Sequence, residues 1–235
     1  MFERTSIIYG DNICKKLQDA VVAVCGVGAV GGFAVEALAR LGVGNFYLYD
    51  FDSFDESNMN RQICSLNSTI GRVKVDVQKE RILDINPNAK VEANNIFVDE
   101  AISKEIASGR PNVIIDAIDT IASKVHLALA STNENVAFVS SMGAARKKNP
   151  LEVKCAEIFK TSGCPLASRM RKELRKIGFS KSFKCVYSPE VVEDYTHVSS
   201  ENSNEKIMGS SVIITGVFGL NLANLALEEI IKTIE

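Results

Sequence analysis

Three features of the sequence predict an α/β fold: a Rossmann-like, mostly parallel sheet with helices on both faces and an elaborated C-terminal third. Apolar runs of strand length alternate with amphipathic stretches of helix length. A glycine-rich turn separates the first such strand from the first such helix. The 235 residues, 46% hydrophobic and 24% charged, also supply enough apolar surface to bury a sizeable core, which excludes disorder as the main state.

VVAVC at 21–25 reads as the first strand, AVGGFAVEALARL as a helix rich in small residues, and NFYLYD at 45–50 as the next strand, together a βαβ unit. After the polar loop FDSFDESNMNRQ, residues 73–85 read as a helix closed by Asn86-Pro87, and VEANN as a short strand. The pattern then repeats, with VIIDAI at 113–118 a buried strand, 120–132 a helix and VAFVSS another buried strand. Beyond Ser141 the texture changes. GAARKKNP is a basic, turn-rich loop, CPLASRMRKELRKIG a basic helix and FKCVYS a short strand. Residues 188–208 are polar with little periodicity and read as a long mobile crossing loop. The expected organisation is one domain: a nucleotide-binding core over 1–143, a basic segment over 144–187, the crossing loop over 188–208 and a C-terminal helix over 210–234.

That last helix contains an uncharged stretch at 209–227, close to the length that spans a bilayer. Asn221, Asn224 and Glu228 recur three and four apart, however, which places one polar stripe on an otherwise apolar helix and favours a buried soluble element without membrane contact. The N-terminus lacks a basic head followed by an apolar stretch, and none of the six cysteines forms a C-x-x-C pair. A cytoplasmic protein without zinc or a disulfide framework is expected. Net charge is only −2, but 144–184 holds twelve Lys or Arg against three Glu. An anionic macromolecular partner, with a solvated face as the bland alternative, follows from that asymmetry.

Gly26-Val27-Gly28-Ala29-Val30-Gly31 follows a strand and opens a helix, so backbone N–H groups can approach a phosphate at the helix N-terminus. Asp50 ends the next strand, where a carboxylate can accept from ribose hydroxyls. Nothing beyond this fingerprint supports nicotinamide. Asp52, Asn58, Asn60, Arg61 and Gln62 fall within eleven residues, followed by Lys74 at a helix start and Asp116-Ala117-Ile118-Asp119 at a strand end. Arg and Lys can clamp a triphosphate while a carboxylate holds magnesium, the set needed to move a nucleotidyl group. Singly, Arg61 and Lys74 read as solvated charges and Asp119 as a helix cap.

Taken together, Tyr49-Asp50-Phe51-Asp52 through Arg61-Gln62, Gly71-Arg72-Val73-Lys74 and Asp116 to Asp119 resemble the adenylation fold of ubiquitin-activating-like enzymes. The resemblance implies ATP and Mg²⁺ as cofactors. Gly26, Gly28, Gly31, Asp50, Asp52, Asn58, Asn60, Arg61, Lys74, Asp119 and Thr120 would form the nucleotide site, with Asp119 on the metal. It also implies a homodimer in which Arg4 reaches the partner's phosphates. Two features depart from the sulfur-carrier activators of that superfamily: there are no paired C-x-x-C motifs, and Thr120 follows Asp119 where they usually carry Asn.

From Ser140 onward, SSMGAARKKNP, AEIFKTSGCPLASRMRKELRK and KCVYSPE look like the tRNA threonylcarbamoyladenosine dehydratases. That likeness implies a tRNA substrate whose threonine carboxylate is adenylated, then closed into a five-membered ring with loss of one water. The superfamily leaves open a sulfur-transfer partner protein and a reactive thiol at Cys185. The alternation Phe183, Cys185, Tyr187 instead places that cysteine on a buried strand face. Arg169, Lys172 and Lys176, flanked by Arg171 and Arg175, form a cationic stripe suited to tRNA phosphates, with Leu166, Met170, Leu174 and Ile177 as the anchoring face. Neither His126 nor His197 is assigned a role. The rival readings are an adenylating enzyme for a small sulfur-carrier or ubiquitin-like protein, and a nucleotide-binding interaction protein without turnover.

Overall fold

The computed structural model describes residues 2–191, 196–198 and 206–232. Two short helices, α1 (Glu3–Tyr9) and α2 (Asp11–Asp19), precede β1 (Val21–Cys25), α3 (Gly31–Leu41) and β2 (Asn45–Tyr49). Next come α4 (Lys74–Ile85), β3 (Lys90–Asn94), α5 (Glu100–Ser108), β4 (Val113–Asp116), α6 (Ile121–Asn133) and β5 (Ala137–Ser141). The C-terminal third supplies β6 (Lys154–Glu157), α7 (Pro165–Lys176), β7 (Lys184–Tyr187), β8 (Thr196–Val198), β9 (Lys206–Met208) and α8 (Val212–Lys232).

Seven strands form one sheet in the order β3-β2-β1-β4-β5-β7-β6, parallel throughout except for β6, which runs antiparallel at the edge. Strand alternation sends Val22, Val24, Val113, Ile115, Val139 and Val186 to one face, against α3, α4 and α8. Ala23, Cys25, Ile114, Phe138 and Cys185 face the other way, against α5, α6 and α7. The expected α/β sheet with helices on both faces is therefore present, and the basic segment is part of it, since β6 and β7 extend the same sheet.

The chain leaves β1 towards β2 and β3, then returns to β4 and β5 on the other side. The carboxyl ends of β1 and β4 thus border a topological switch point, the usual place for a ligand crevice in such sheets. The apolar helix α8 is core: Ile214, Phe218, Leu222, Leu225 and Leu227 are buried, each worth about 1.5–3 kcal/mol. Asn224 is exposed, Asn221 and Glu228 are half-buried, and Leu220, beside that stripe, is 53% exposed.

Several sequence expectations need correction. Strand β4 stops at Asp116, because the Asp116 carboxylate accepts the Ile118 N–H at 3.1 Å and turns the chain out of the sheet. Helix α6 starts at Ile121 with Thr120 as its N-cap residue, so Asp119 is not the cap. The polar stretch 188–208 contains a two-stranded hairpin, β8 with β9; residues 192–195 and 199–205 lie outside the described ones.

On α7, Met170 and Leu174 are buried as expected, joined by Ala167, while Leu166 is half-buried and Ile177 is 47% exposed. The reason is local: the helix ends at Lys176, Gly178 adopts a left-handed φ of 70°, and Phe179 fills the place assigned to Ile177. This helix packs mainly on α6, within the buried cluster that covers this face of the sheet.

Candidate nucleotide site at the switch point

The turn between β1 and α3 is closed by backbone contacts that admit only glycine at two positions. Gly26 has φ 86°, and a Cβ there would lie 2.8 Å from the Ala117 carbonyl oxygen. A Cβ on Gly31 would fall 1.8 Å from the Gly26 oxygen. Gly28 differs, because a Cβ there would meet nothing closer than the Gln62 amide oxygen at 3.7 Å. Protein packing does not require glycine at 28, so the backbone there is open to close approach from outside. No side chain caps α3, and of its first N–H groups that of Gly32 is taken up by the Gly28 carbonyl at 2.9 Å.

Asp50 is fastened to the turn. Its Oδ2 accepts the Val27 N–H at 2.8 Å and its Oδ1 accepts the Asp52 N–H at 3.0 Å, leaving further lone pairs on both oxygens. Burial raises its pKa above the ordinary aspartate value, against those two N–H donors and Lys74, which pull it down. Lys74, the first residue of α4, is buried and donates to Asp52 Oδ2 at 2.9 Å. The loop between them is held in register by the Lys74 N–H to Asp52 carbonyl bond at 3.0 Å and by a bridge between Ser53 and Val73.

Asn58 is buried in a reciprocal cap with Asp55, which shapes the loop. Arg61 donates to the Ser57 carbonyl at 2.7 Å and to Asn60 Oδ1 at 2.9 Å, while Asn60 reaches the Ser210 carbonyl at 3.1 Å. Thr215 Oγ1 lies 3.4 Å from the Arg61 carbonyl and 3.2 Å from the Ser211 carbonyl of its own helix, so the start of α8 lies against this loop. Asp119 and Thr120 are exposed at the end of the loop after β4, their side chains joined at 3.4 Å. A single exposed carboxylate suits magnesium, which retains waters and phosphate oxygens as its other ligands. Among the described residues no group of three His, Cys, Asp or Glu gathers as a metal cage.

Gln62, a loop residue to which the sequence pattern gave no role, is 8% exposed and its Oε1 lies buried without a partner beside Gly28. Lys124 escaped the sequence reasoning altogether. Its side chain is fully buried against Asp116, and the only signal in the sequence was a lysine on the inner face of a predicted helix. Arg4 lies elsewhere. Phe2 packs on Gly42 at the C-terminal end of α3, the opposite end from the glycine turn, and Arg4 is exposed two residues further on with no hydrogen bond or ion pair among the described residues.

The family model for the ThiF family matches residues 2–234. The chain belongs to that family. Its ThiF-family relatives include the tRNA threonylcarbamoyladenosine dehydratase of Bacillus subtilis, 37% identical over 100% of this chain and 96% of the relative. The enzyme of the same name from Escherichia coli is 31% identical over 97% of this chain and 92% of its own length. The crystal structure of the E. coli dehydratase in complex with ATP superposes with a TM-score of 0.89, covering 99% of this chain and 94% of that one.

In this ThiF-family chain Cys185 is fully buried. Its Sγ donates to the Ala156 carbonyl at 3.4 Å, and burial pushes its pKa up to about 12. It shares a cluster with Phe183 and Tyr187, as the alternation predicted. The cationic helix α7 begins beside Gly143, just past the carboxyl end of β5. Arg169 and Lys172 are exposed and unpaired among the described residues. Lys176 is held by Glu173 at 2.7 Å, Arg175 lies 5.5 Å over the Phe159 ring, and Arg171 donates to Thr161. Lys147, counted with the surface charges of the basic segment, is instead 3% exposed, with its Nζ on the Glu190 carbonyl and its pKa lowered by burial.

Proposed function

We propose that this chain is an ATP-dependent tRNA threonylcarbamoyladenosine dehydratase, which closes the threonylcarbamoyl arm of an adenosine beside the anticodon into a ring. The observation that carries this reading is the gathering of the glycine turn, Asp50 and Lys74 at the switch point of the sheet, in a chain alike over its full length to enzymes of that name.

In this reading the triphosphate lies over Gly28 at the start of α3, and the ribose hydroxyls donate to Asp50. A carboxylate oxygen of the threonine arm attacks the α-phosphorus. The bond from that phosphorus to the bridging oxygen breaks, and pyrophosphate leaves. A neighbouring atom of the same arm then attacks the acyl carbon, the arm gives up one N–H proton to solvent, and AMP is expelled carrying the former carboxylate oxygen; one water is lost overall. The protein's task is to align two parts of one substrate and to neutralise charge, with no covalent nucleophile needed. Lys74 and Arg61 would place positive charge on the phosphates, Lys74 by exchanging its Asp52 partner for phosphate oxygen. Mg²⁺ held by Asp119 would supply further charge neutralisation. Asn58 and Asn60 would keep the Arg61 loop in shape, and Thr120 would steady Asp119. Nothing in this sequence of bonds calls on a thiol or a sulfur-transfer partner.

Placement of Arg4 at the far end of its own α3 supports a homodimer in which Arg4 serves the neighbouring site, and Ile7 and Ile8 beside it are 77% and 76% exposed. A tRNA substrate supports a cytoplasmic location. Asp119→Ala and Lys74→Ala should each lower tRNA-dependent pyrophosphate release by about 10² to 10³, roughly 3 to 4 kcal/mol of transition-state stabilisation. Near wild-type rates in both would remove the site assignment. Arg4→Ala mixed with Lys74→Ala should regain activity through hybrid dimers with one intact site. Two inactive parents without rescue after subunit exchange would instead confine Arg4 to its own chain or to no role.

A further inference from the structure

Lys124 and Asp116 form an ion pair with both side chains 0% exposed, Nζ to Oδ2 2.8 Å. The Lys124 ammonium also donates to the Ile118 carbonyl at 2.9 Å and to the Ser141 carbonyl at 2.8 Å. Asp116 in turn accepts from Ser140 Oγ at 2.6 Å and from the Ile118 N–H at 3.1 Å. Taking two charges out of water is costly, and apolar side chains of similar size often stabilise a core as well or better. The pair does something they could not do: it ties three backbone segments to one point. These are the end of β4, the loop that leads to Asp119, and the end of β5. From the opposite side the same loop is confined by the glycine turn, since the Ala117 backbone sits where a Cβ on Gly26 would be. Ala117 and Ile118 are thus gripped between the turn and Lys124.

We propose that Lys124 is a positioning residue for adenylation. It sets the backbone that presents Asp119 and fixes it against the end of β5, from which the basic segment departs. The inference rests on the reading of Asp119 as a nucleotide-site residue. Misplacement of a reacting geometry by about 1 Å costs on the order of 100-fold in rate, which sets the expected size of the effect.

Lys124→Met alone would strand the Asp116 charge and could unfold the protein, so the informative variant is Lys124→Met with Asp116→Asn, which leaves no buried charge. Thermal unfolding, calorimetric ATP binding, pyrophosphate release with tRNA and amide hydrogen exchange over 113–124 would be measured on the full chain. The double variant should fold, bind ATP within roughly threefold of wild type and lose kcat by about 100-fold. The Ile118 amide should exchange at least about tenfold faster while those of β4 stay protected. A folded double variant with wild-type kcat, or with unchanged exchange at Ile118, overturns the inference. Asp119→Ala run in parallel separates the two ideas. Full activity there defeats the Asp119 reading itself; an inactive Asp119→Ala beside an active double variant defeats only the role of Lys124. Wild-type exchange alone is also decisive, because the Ile118 amide should be as slow as those of β4, and exchange as fast as at Glu56 would refute the anchoring.

Discussion

Removing Arg169 and Lys172 together should change how tRNA binding depends on salt. Each phosphate neutralised contributes about 0.7 to 0.9 to the slope of log affinity against log salt, so two lost contacts should flatten the slope by roughly 1.6. Across a fourfold change in salt, from about 50 to about 200 mM, that difference corresponds to roughly ninefold in affinity. The structure ranks the cations. Arg169 and Lys172 are exposed and unpaired among the described residues, whereas Lys176 must first leave Glu173 and Arg175 is stacked on Phe159. Arg169→Ala/Lys172→Ala should therefore flatten the slope more than Arg175→Ala/Lys176→Ala. Fluorescence anisotropy with labelled tRNA at several salt concentrations measures this directly, with ATP affinity, expected unchanged, as the control for folding. An unaltered slope in the first pair would make the stripe a solvated face and leave the tRNA contacts to be sought elsewhere.

Other perturbations test separate parts of the site. Gly31→Ala puts a carbon 1.8 Å from the Gly26 oxygen, so the turn must open; ATP binding should be lost in calorimetry, and wild-type binding would contradict the cradle geometry. Burial pushes the Cys185 thiol up to about 12, so little thiolate forms there near neutral pH. Iodoacetamide should therefore modify exposed Cys155 first in the native protein and Cys185 only on unfolding; rapid native labelling of Cys185 would reinstate a reactive thiol. Asp50 has a raised folded pKa, so its protonated form appears at higher pH than for an ordinary aspartate. ATP affinity should be full above that pKa and fall as pH drops through it, and Asp50→Asn should abolish the step; an identical pH profile in the variant would show that another group titrates.

Legibility varied with the kind of interaction. The core strands could be read because each is a short, nearly continuous apolar run buried on both faces, and the glycine turn because its spacing reflects backbone collisions at Gly26 and Gly31. Asp50, Lys74 and Asp119 stand at strand ends and helix starts, where periodicity breaks, so their residue types were conspicuous. Other features were hidden. Helix α5 has only Ser103, Ile106 and Ala107 buried, and β6 is a half-exposed edge strand, so neither carries a strong apolar pattern. The burial of Lys124 and Lys147 depends on carbonyls brought from 17 and 43 residues away, which no local pattern encodes. Ile177 was misplaced because helical spacing was extended past the point where Gly178 ends the helix.

The most direct measurement is mass spectrometry of nucleosides from threonylcarbamoyladenosine-bearing tRNA incubated with the enzyme and ATP. The expected product is that nucleoside lighter by one water, formed only with ATP and with one AMP released per nucleoside converted. An unchanged nucleoside mass, with ATP bound and the protein folded, would contradict the proposed activity.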